Sequence, residues 1–431
     1  MDKNEKWKNY FQTFLNAFVF LLPWQTIYIV NETFVSGIKQ QWGTLGFFFS
    51  QGIFWISVVC FLVYIFLQKK NYSKEILKTP VYWIFIFFFF FLFIGVFWSL
   101  RTDVYLQSLV WFVQAFLLVF FLSSSLVDKK QIVFYFLFGG AIQGIFGIGQ
   151  FFLQDTFASK WFGLTEHLAS ESGTSVIVTE SGRYLRAYGA FSHPNIYGGY
   201  LVLTTIITVL FIECFKKKNI FFSSVLVIQV LGVFFSMSRS AWMSLICFFL
   251  GFIFWKIYKK EFLLYKNIFL TLFCVLLFCI IAFFPLVKTR IVGNTVYETQ
   301  SIAYRVSGYT ESLQVFAEQP WLGVGIGNYT FALEKYFPSQ SVFSYAPVHN
   351  VFLLGLVEFG IIGSLLFLSM CLLFFYTIKK RIQFPFLFVW ISISCLPFFL
   401  FDHFFFSSYV GMTGMGVFVG IVLGLLTKKW E

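Results

Sequence analysis

Val351-Phe-Leu-Leu-Gly-Leu-Val-Glu358-Phe-Gly360-Ile-Ile-Gly363-Ser-Leu-Leu-Phe-Leu-Ser-Met-Cys371-Leu-Leu-Phe-Phe-Tyr376 holds one charged residue, Glu358, in its whole length. At about 1.5 Å of rise per residue, a helix of this length outreaches the roughly 30 Å hydrocarbon core of a bilayer. Eleven more runs of the same kind fill most of the 431 residues: 10–30, 45–67, 80–98, 104–127, 131–153, 196–215, 219–235, 240–258, 267–286, 383–401 and 409–427. The chain is 59% hydrophobic and only 12% charged, against about 25% charged in a soluble domain. A soluble enzyme could not bury that much apolar surface, and a disordered chain would not carry it. The runs are too long for barrel strands. The expected fold is all-α: one polytopic membrane helix bundle over residues 1–431, of about 12 transmembrane helices. The first run is read as a retained span, not a cleaved leader.

The net charge of +12 does not point to nucleic acid, because Lys and Arg set orientation in a membrane protein. With both termini cytoplasmic, the inside segments hold Lys3, Lys6 and Lys8, the lysines of 69–78, Lys129 and Lys130, those of 216–218, Lys256, Lys259, Lys260 and Lys266, the basic run 379–381, and Lys428 and Lys429. Six of the seven arginines and all four histidines fall outside. Lys suffices as a point charge, whereas the guanidinium fork suits phosphate. Two outer loops are long, 154–195 and 287–349. In the second, Ile302, Val306, Tyr309, Leu313 and Phe316 recur at helical spacing and predict an amphipathic helix ended by Pro320. Gly323 to Asn328 reads as a tight turn. The seven cysteines lie in or beside apolar runs and are read as small hydrophobes.

Five places could carry chemistry. Arg183, Arg186, His193 and Asn195 precede the sixth run, where Pro194 fits a turn and Asn195 a helix cap; the arginines read equally as interfacial side chains that snorkel. Arg239 sits in the short polar break Ser236-Met-Ser-Arg between two apolar runs, where a bound anion or a carboxylate such as Asp402 would compensate it. Tyr304-Arg305 opens the amphipathic stretch. His349-Asn350 stands at the mouth of the tenth run, with Glu358 inside that run; His349 is a candidate base. Asp402-His403 forms a smaller outer cluster. No spacing speaks for a metal, and no cofactor is expected.

Arg186-Ala-Tyr-Gly189-Ala-Phe-Ser-His193-Pro-Asn195, Ser236-Met-Ser-Arg239, Pro320-Trp-Leu-Gly-Val-Gly325-Ile-Gly327-Asn328-Tyr and His349-Asn350 together resemble the O-antigen ligase and O-antigen polymerase superfamily. The most specific piece is His-Asn, nine residues, Gly, two residues, Gly, met by His349, Asn350, Gly360 and Gly363. The motifs span 186–363. The resemblance implies a metal-independent, inverting glycosyltransferase in the cytoplasmic (inner) membrane with its site facing the periplasm. Its donor would be a glycan on undecaprenyl diphosphate, its acceptor a growing glycan, a lipid A core or a protein, and membrane lipid its surroundings. By that resemblance Arg186, Arg239 and Arg305 hold the diphosphate, with Arg290 a second candidate for the role of Arg305, and His349 activates the acceptor hydroxyl. His193, Asn195, Asn350 and Glu358 are supporting candidates. Ligase, polymerase and protein O-oligosaccharyltransferase remain alternatives of one class. A lipid-linked sugar transporter is the alternative of another class, disfavoured by span middles almost free of charge.

Overall fold

The computed structural model describes residues 3–35, 37–68, 80–171, 173–215, 220–293 and 296–427. The lysines expected inside at 69–78, 216–218 and 428–429 lie outside the described residues. In chain order the helices are α1 (Lys3–Leu21), α2 (Phe49–Gln68), α3 (Pro80–Ile94), α4 (Thr102–Ser123), α5 (Lys129–Leu153), α6 (Pro194–Phe215), α7 (Ile220–Phe235) and α8 (Arg239–Tyr258). There follow α9 (Lys266–Ala282), α10 (Phe284–Val292), α11 (Val296–Glu318), α12 (Tyr329–Tyr336), α13 (Val351–Ile378), α14 (Pro385–Phe401), α15 (Phe404–Ser407) and α16 (Tyr409–Leu426). Each of the twelve apolar runs carries a helix. Among the described residues, seven helices are long and apolar enough to cross a membrane, or up to 8 if the bent pair α9–α10 is one span. The chain is a mostly helical, multi-pass membrane protein.

The all-α expectation needs correction at three antiparallel hairpins. The run 10–30 is not one helix. α1 stops at Leu21, just before Pro23, and β1 (Ile27–Val35) pairs with β2 (Ile38–Phe48). Proline cannot continue a helix, and the β-branched and aromatic residues after it favour extended chain. Gly37, at φ +78°, makes the turn. The second apolar helix therefore starts at Phe49 rather than at 45. In the first flap, β3 (Asp155–Thr156) pairs with β4 (His167–Leu168), and β5 (Val176–Thr179) with β6 (Gly182–Leu185).

The second flap holds the expected helix, α11, but with a different inner face. Ile302, Val306 and Leu313 are exposed, while Ser312 and Val315 are buried and Tyr309 and Phe316 are half-buried. Arg305, read from the sequence as opening this helix, lies several turns inside it. α11 lies against α13.

Two packing devices hold the bundle. Gly416, Gly420 and Gly424 form a stripe on α16 at four-residue spacing. A Cβ there would meet the α4 backbone at Ala115 O (2.7 Å), Leu118 O (3.0 Å) and Leu122 O (2.8 Å), so the two helices touch backbone to backbone. The second device is a break in α13. Gly360 has φ +63° and ψ −173°, a conformation open only to glycine. The loop 320–325 fills the break. Val324 N–H donates to Val357 O (3.0 Å) and Gly325 N–H to Glu358 O (3.0 Å), while Ile361 N–H donates to Pro320 O (2.8 Å) and Ile362 N–H to Trp321 O (3.1 Å). Backbone groups freed by the break are thereby paired, as a low-dielectric setting requires. Gly363 is needed for another reason: its Cα packs on the ring of Phe91.

Candidate active site

The site is built around the turn between α7 and α8. Met237 adopts a left-handed conformation, φ +50°, and Ser238 caps α8 by accepting from Ala241 N–H. The turn's carbonyls are clamped by arginines. Arg186 Nε donates to Ser236 O (2.8 Å) and Arg290 Nε to Met237 O (2.9 Å). Arg290 arrives because α10 turns 86° away from α9, with Pro285 in its first turn.

The turn presents Arg239 to a cavity of about 210 Å³. Asn195, Ser238, Arg239, Ser240, Arg290 and Arg305 line it, with Met243 and Phe401 as apolar walls. Three guanidinium groups from three separate helices thus face one space. Arg186 is not in this lining. It is buried, and it donates Nη2 to Asn195 Oδ1 (2.6 Å). Arg183 staples the first flap by donating to Ala169 O and Glu171 O.

Beside the cavity lies a polar chain. Asn195 Nδ2 donates to Asp402 Oδ2 (2.9 Å), and Asp402 Oδ1 lies 3.8 Å from His349 Nδ1. His403 N–H also donates to Asp402 Oδ1 (3.1 Å), and the rings of His349 and His403 meet edge to face with centroids 4.9 Å apart. Burial pushes the Asp402 carboxyl up, but the close approach and positive charge of His349, with His403 and His193, outweigh it and hold Asp402 well below the usual carboxylate range. Burial, aided by Arg186, pushes His193 down to about 3. Burial, aided by His349 and Arg305, pushes His403 down to about 3.

Several supporting candidates have partners of their own within the fold. His193 Nδ1 accepts from Asn195 N–H (3.1 Å), and its Nε2 meets Ser175 Oγ (3.2 Å). Pro194 is the first helical residue, so the expectation that Asn195 caps the helix is corrected: His193 does so, and the Asn195 side chain is released for the polar chain. Asn350 caps α13 by accepting from Leu353 N–H (3.0 Å). Glu358 accepts from Gly327 N–H (2.8 Å) and Tyr329 N–H (3.4 Å), at the start of α12 and away from the arginine cavity.

The sequence read Asp402 as a partner for Arg239 and as one half of a small outer cluster with His403; the structure places it against His349 and Asn195 as well as His403. Its signal was the alternation of the spans, which puts the ends of the runs before 402 and after 349 on one face. His349, Asp402 and His403 also bring three donor atoms within 4.8 Å of one another. Nitrogen and carboxylate donors of that kind suit zinc, but the charge of Arg305 bears on the same cluster.

Residues 222–368 match the sequence model of the O-antigen ligase family. Over that third of its length the chain is similar to the O-antigen ligase-like superfamily. The matched stretch holds the α7–α8 turn, Arg239, Arg290, Arg305 and His349, whereas Asn195, Phe401 and Asp402 lie outside it. That superfamily consists of ligase- and polymerase-like membrane glycosyltransferases. No curated protein matches the chain.

Proposed function

We propose that this protein transfers a glycan from undecaprenyl diphosphate to an acceptor hydroxyl, at the outer face of the cytoplasmic membrane. The observation that carries the reading is the convergence of Arg239, Arg290 and Arg305 on one cavity, next to the Asp402–His349 pair. A diphosphate gathers negative charge as the glycosidic bond breaks, and fixed guanidinium donors stabilise it most where water is scarce.

The step runs as follows. His349 Nε2 takes the acceptor's hydroxyl proton while its Nδ1–H faces Asp402, which favours the imidazolium that forms. The acceptor oxygen attacks the anomeric carbon from the side opposite the leaving group. The carbon–oxygen bond to the diphosphate breaks, and its electron pair leaves on the phosphate oxygen into the arginine cavity. Inversion at the anomeric carbon follows from a single displacement. Arg186, read from the sequence as a diphosphate ligand, is assigned here to holding the turn and Asn195, and Arg290 takes its place.

Ligation rather than polymerisation is supported by His349-Asn350 with Gly360 and Gly363. The discriminating experiment is complementation of a deletion strain with wild type and with His349→Ala, comparing surface glycan with carrier-linked glycan. Long chains stranded on the carrier identify a ligase, and single repeat units identify a polymerase. Wild-type behaviour of His349→Ala overturns the catalytic site and favours transport.

Two further outcomes are expected. Arg239→Lys keeps the charge but loses the fork, and should lower transfer roughly a hundredfold with the protein still folded. Dialysis against EDTA should leave transfer unchanged. Loss on chelation, with rescue by Zn²⁺ or Mg²⁺, would instead make His349, Asp402 and His403 a metal site.

A further inference from the structure

We infer that Asn195 is a positioning residue that fixes the Asp402 carboxylate toward His349 and insulates it from Arg186. The inference rests on the transferase reading above. Asn195 is almost fully buried, and every polar atom of its side chain has a partner: Oδ1 takes Arg186 Nη2 at 2.6 Å, and Nδ2 gives to Asp402 Oδ2 at 2.9 Å. Its backbone N–H is held by His193 Nδ1, so the amide is anchored from both ends. The same residue forms part of the arginine cavity wall.

The carboxylate plane of Asp402 is therefore set by one donor on each oxygen: Asn195 Nδ2 on Oδ2 and His403 N–H on Oδ1. What remains open on Oδ1 faces His349 Nδ1. A neutral amide between Arg186 and Asp402 has a second effect. With a guanidinium in direct contact, a buried carboxylate would be matched by a fork-shaped ion pair, and its pull on the imidazolium of His349 would weaken. The amide passes the hydrogen-bond geometry along while keeping the opposite charges apart. The Asn amide offers an acceptor and a donor on one short planar group, and Gln is longer by a methylene.

The test uses purified full-length protein in detergent or liposomes, with a lipid diphosphate-linked glycan and an acceptor. Asn195→Leu should lower kcat by roughly tenfold to a hundredfold, as loss of an orienting partner does elsewhere, with the donor KM changed by less than about threefold. The swap Asn195→Asp with Asp402→Asn keeps both hydrogen bonds but moves the charge next to Arg186. It should unfold at the wild-type temperature yet transfer no faster than Asn195→Leu. Wild-type kcat in Asn195→Leu, or in the swap, overturns the inference. A change confined to donor KM also overturns it, making Asn195 a wall of the donor site. If Asn195→Leu fails to fold, Asn195→Ala takes its place, with the same two outcomes. His349→Ala run in parallel separates the two levels: activity there sinks the transferase reading itself, while an inactive His349→Ala beside a fully active Asn195→Leu sinks only the role of Asn195.

Discussion

Arg239 and Lys256 stand near opposite ends of α8, and their surroundings set their roles. Arg239 faces the cavity. Lys256 was expected among the inside lysines that fix orientation, yet it is fully buried, paired at 2.7 Å with both Glu213 and Glu261, and its Nζ lies 4.2 Å from the ring centroid of Trp255. Tyr265 also donates to Glu213. This cluster ties the ends of α6 and α8 to the start of α9. Removing one member strands buried charge, which costs about 3–5 kcal/mol. Lys256→Met should therefore unfold at a clearly lower temperature in detergent, by intrinsic fluorescence, while a wild-type transfer rate persists well below that transition. Acid should act on the other end. His193 and His403 are held down to about 3, whereas a free imidazole titrates near 6.5. Between those values the unfolded chain takes up protons that the native chain refuses, so stability falls as pH drops through that window. Asp402, held low by its partners, adds in the same sense: its contribution is present above the free carboxylate range and lost as pH falls. The melting temperature should thus decline steadily from about pH 6.5 downward, and a flat profile would contradict the burial of both rings.

At the scale of elements, the residues that punctuate apolar runs were the legible ones. Ser236-Met-Ser-Arg239 announced its turn because four polar or flexible residues interrupt two hydrophobic stretches. His349-Asn350 marked the start of α13 because two polar residues stand at the edge of a long apolar run; that Asn350 caps the helix came from the structure. The β1–β2 hairpin was not legible, since its strands are as apolar as the spans beside it and only Pro23 marks the change. Gly360 stood out in the sequence as a motif position; its work is conformational, and only the partner loop reveals that. Nor could composition pair Asp402 with His349, because their meeting depends on how α13 and α14 end beside α6. Gly360→Ala brings both a disallowed φ and a Cβ about 2.5 Å from Gly323 N and Trp321 O. Backbone strain alone costs about 1–3 kcal/mol, so this variant should melt several degrees lower or fail to accumulate. Gly420→Leu should do likewise by forcing α16 off α4, whereas Gly149→Ala, with nothing within 4 Å of the added carbon, should melt like wild type.

For the whole molecule, the arginine cavity and the basic segment 379–381 should lie on opposite sides of the bilayer. In a cysteine-free background, an impermeant maleimide applied to intact spheroplasts should label Ser339→Cys and spare Arg381→Cys; the reverse pattern would invert the proposed orientation. The loop seated in α13 bears on how a substrate reaches this cavity. Four amide hydrogen bonds stitch residues 320–325 into the broken helix, and in hydrocarbon each unpaired amide costs several kcal/mol. The segment carrying Arg305 is thus moored at its C-terminal end. Under the proposed reading, a carrier with a long isoprenoid tail would reach the cavity sideways from the surrounding lipid, its headgroup threading between helices.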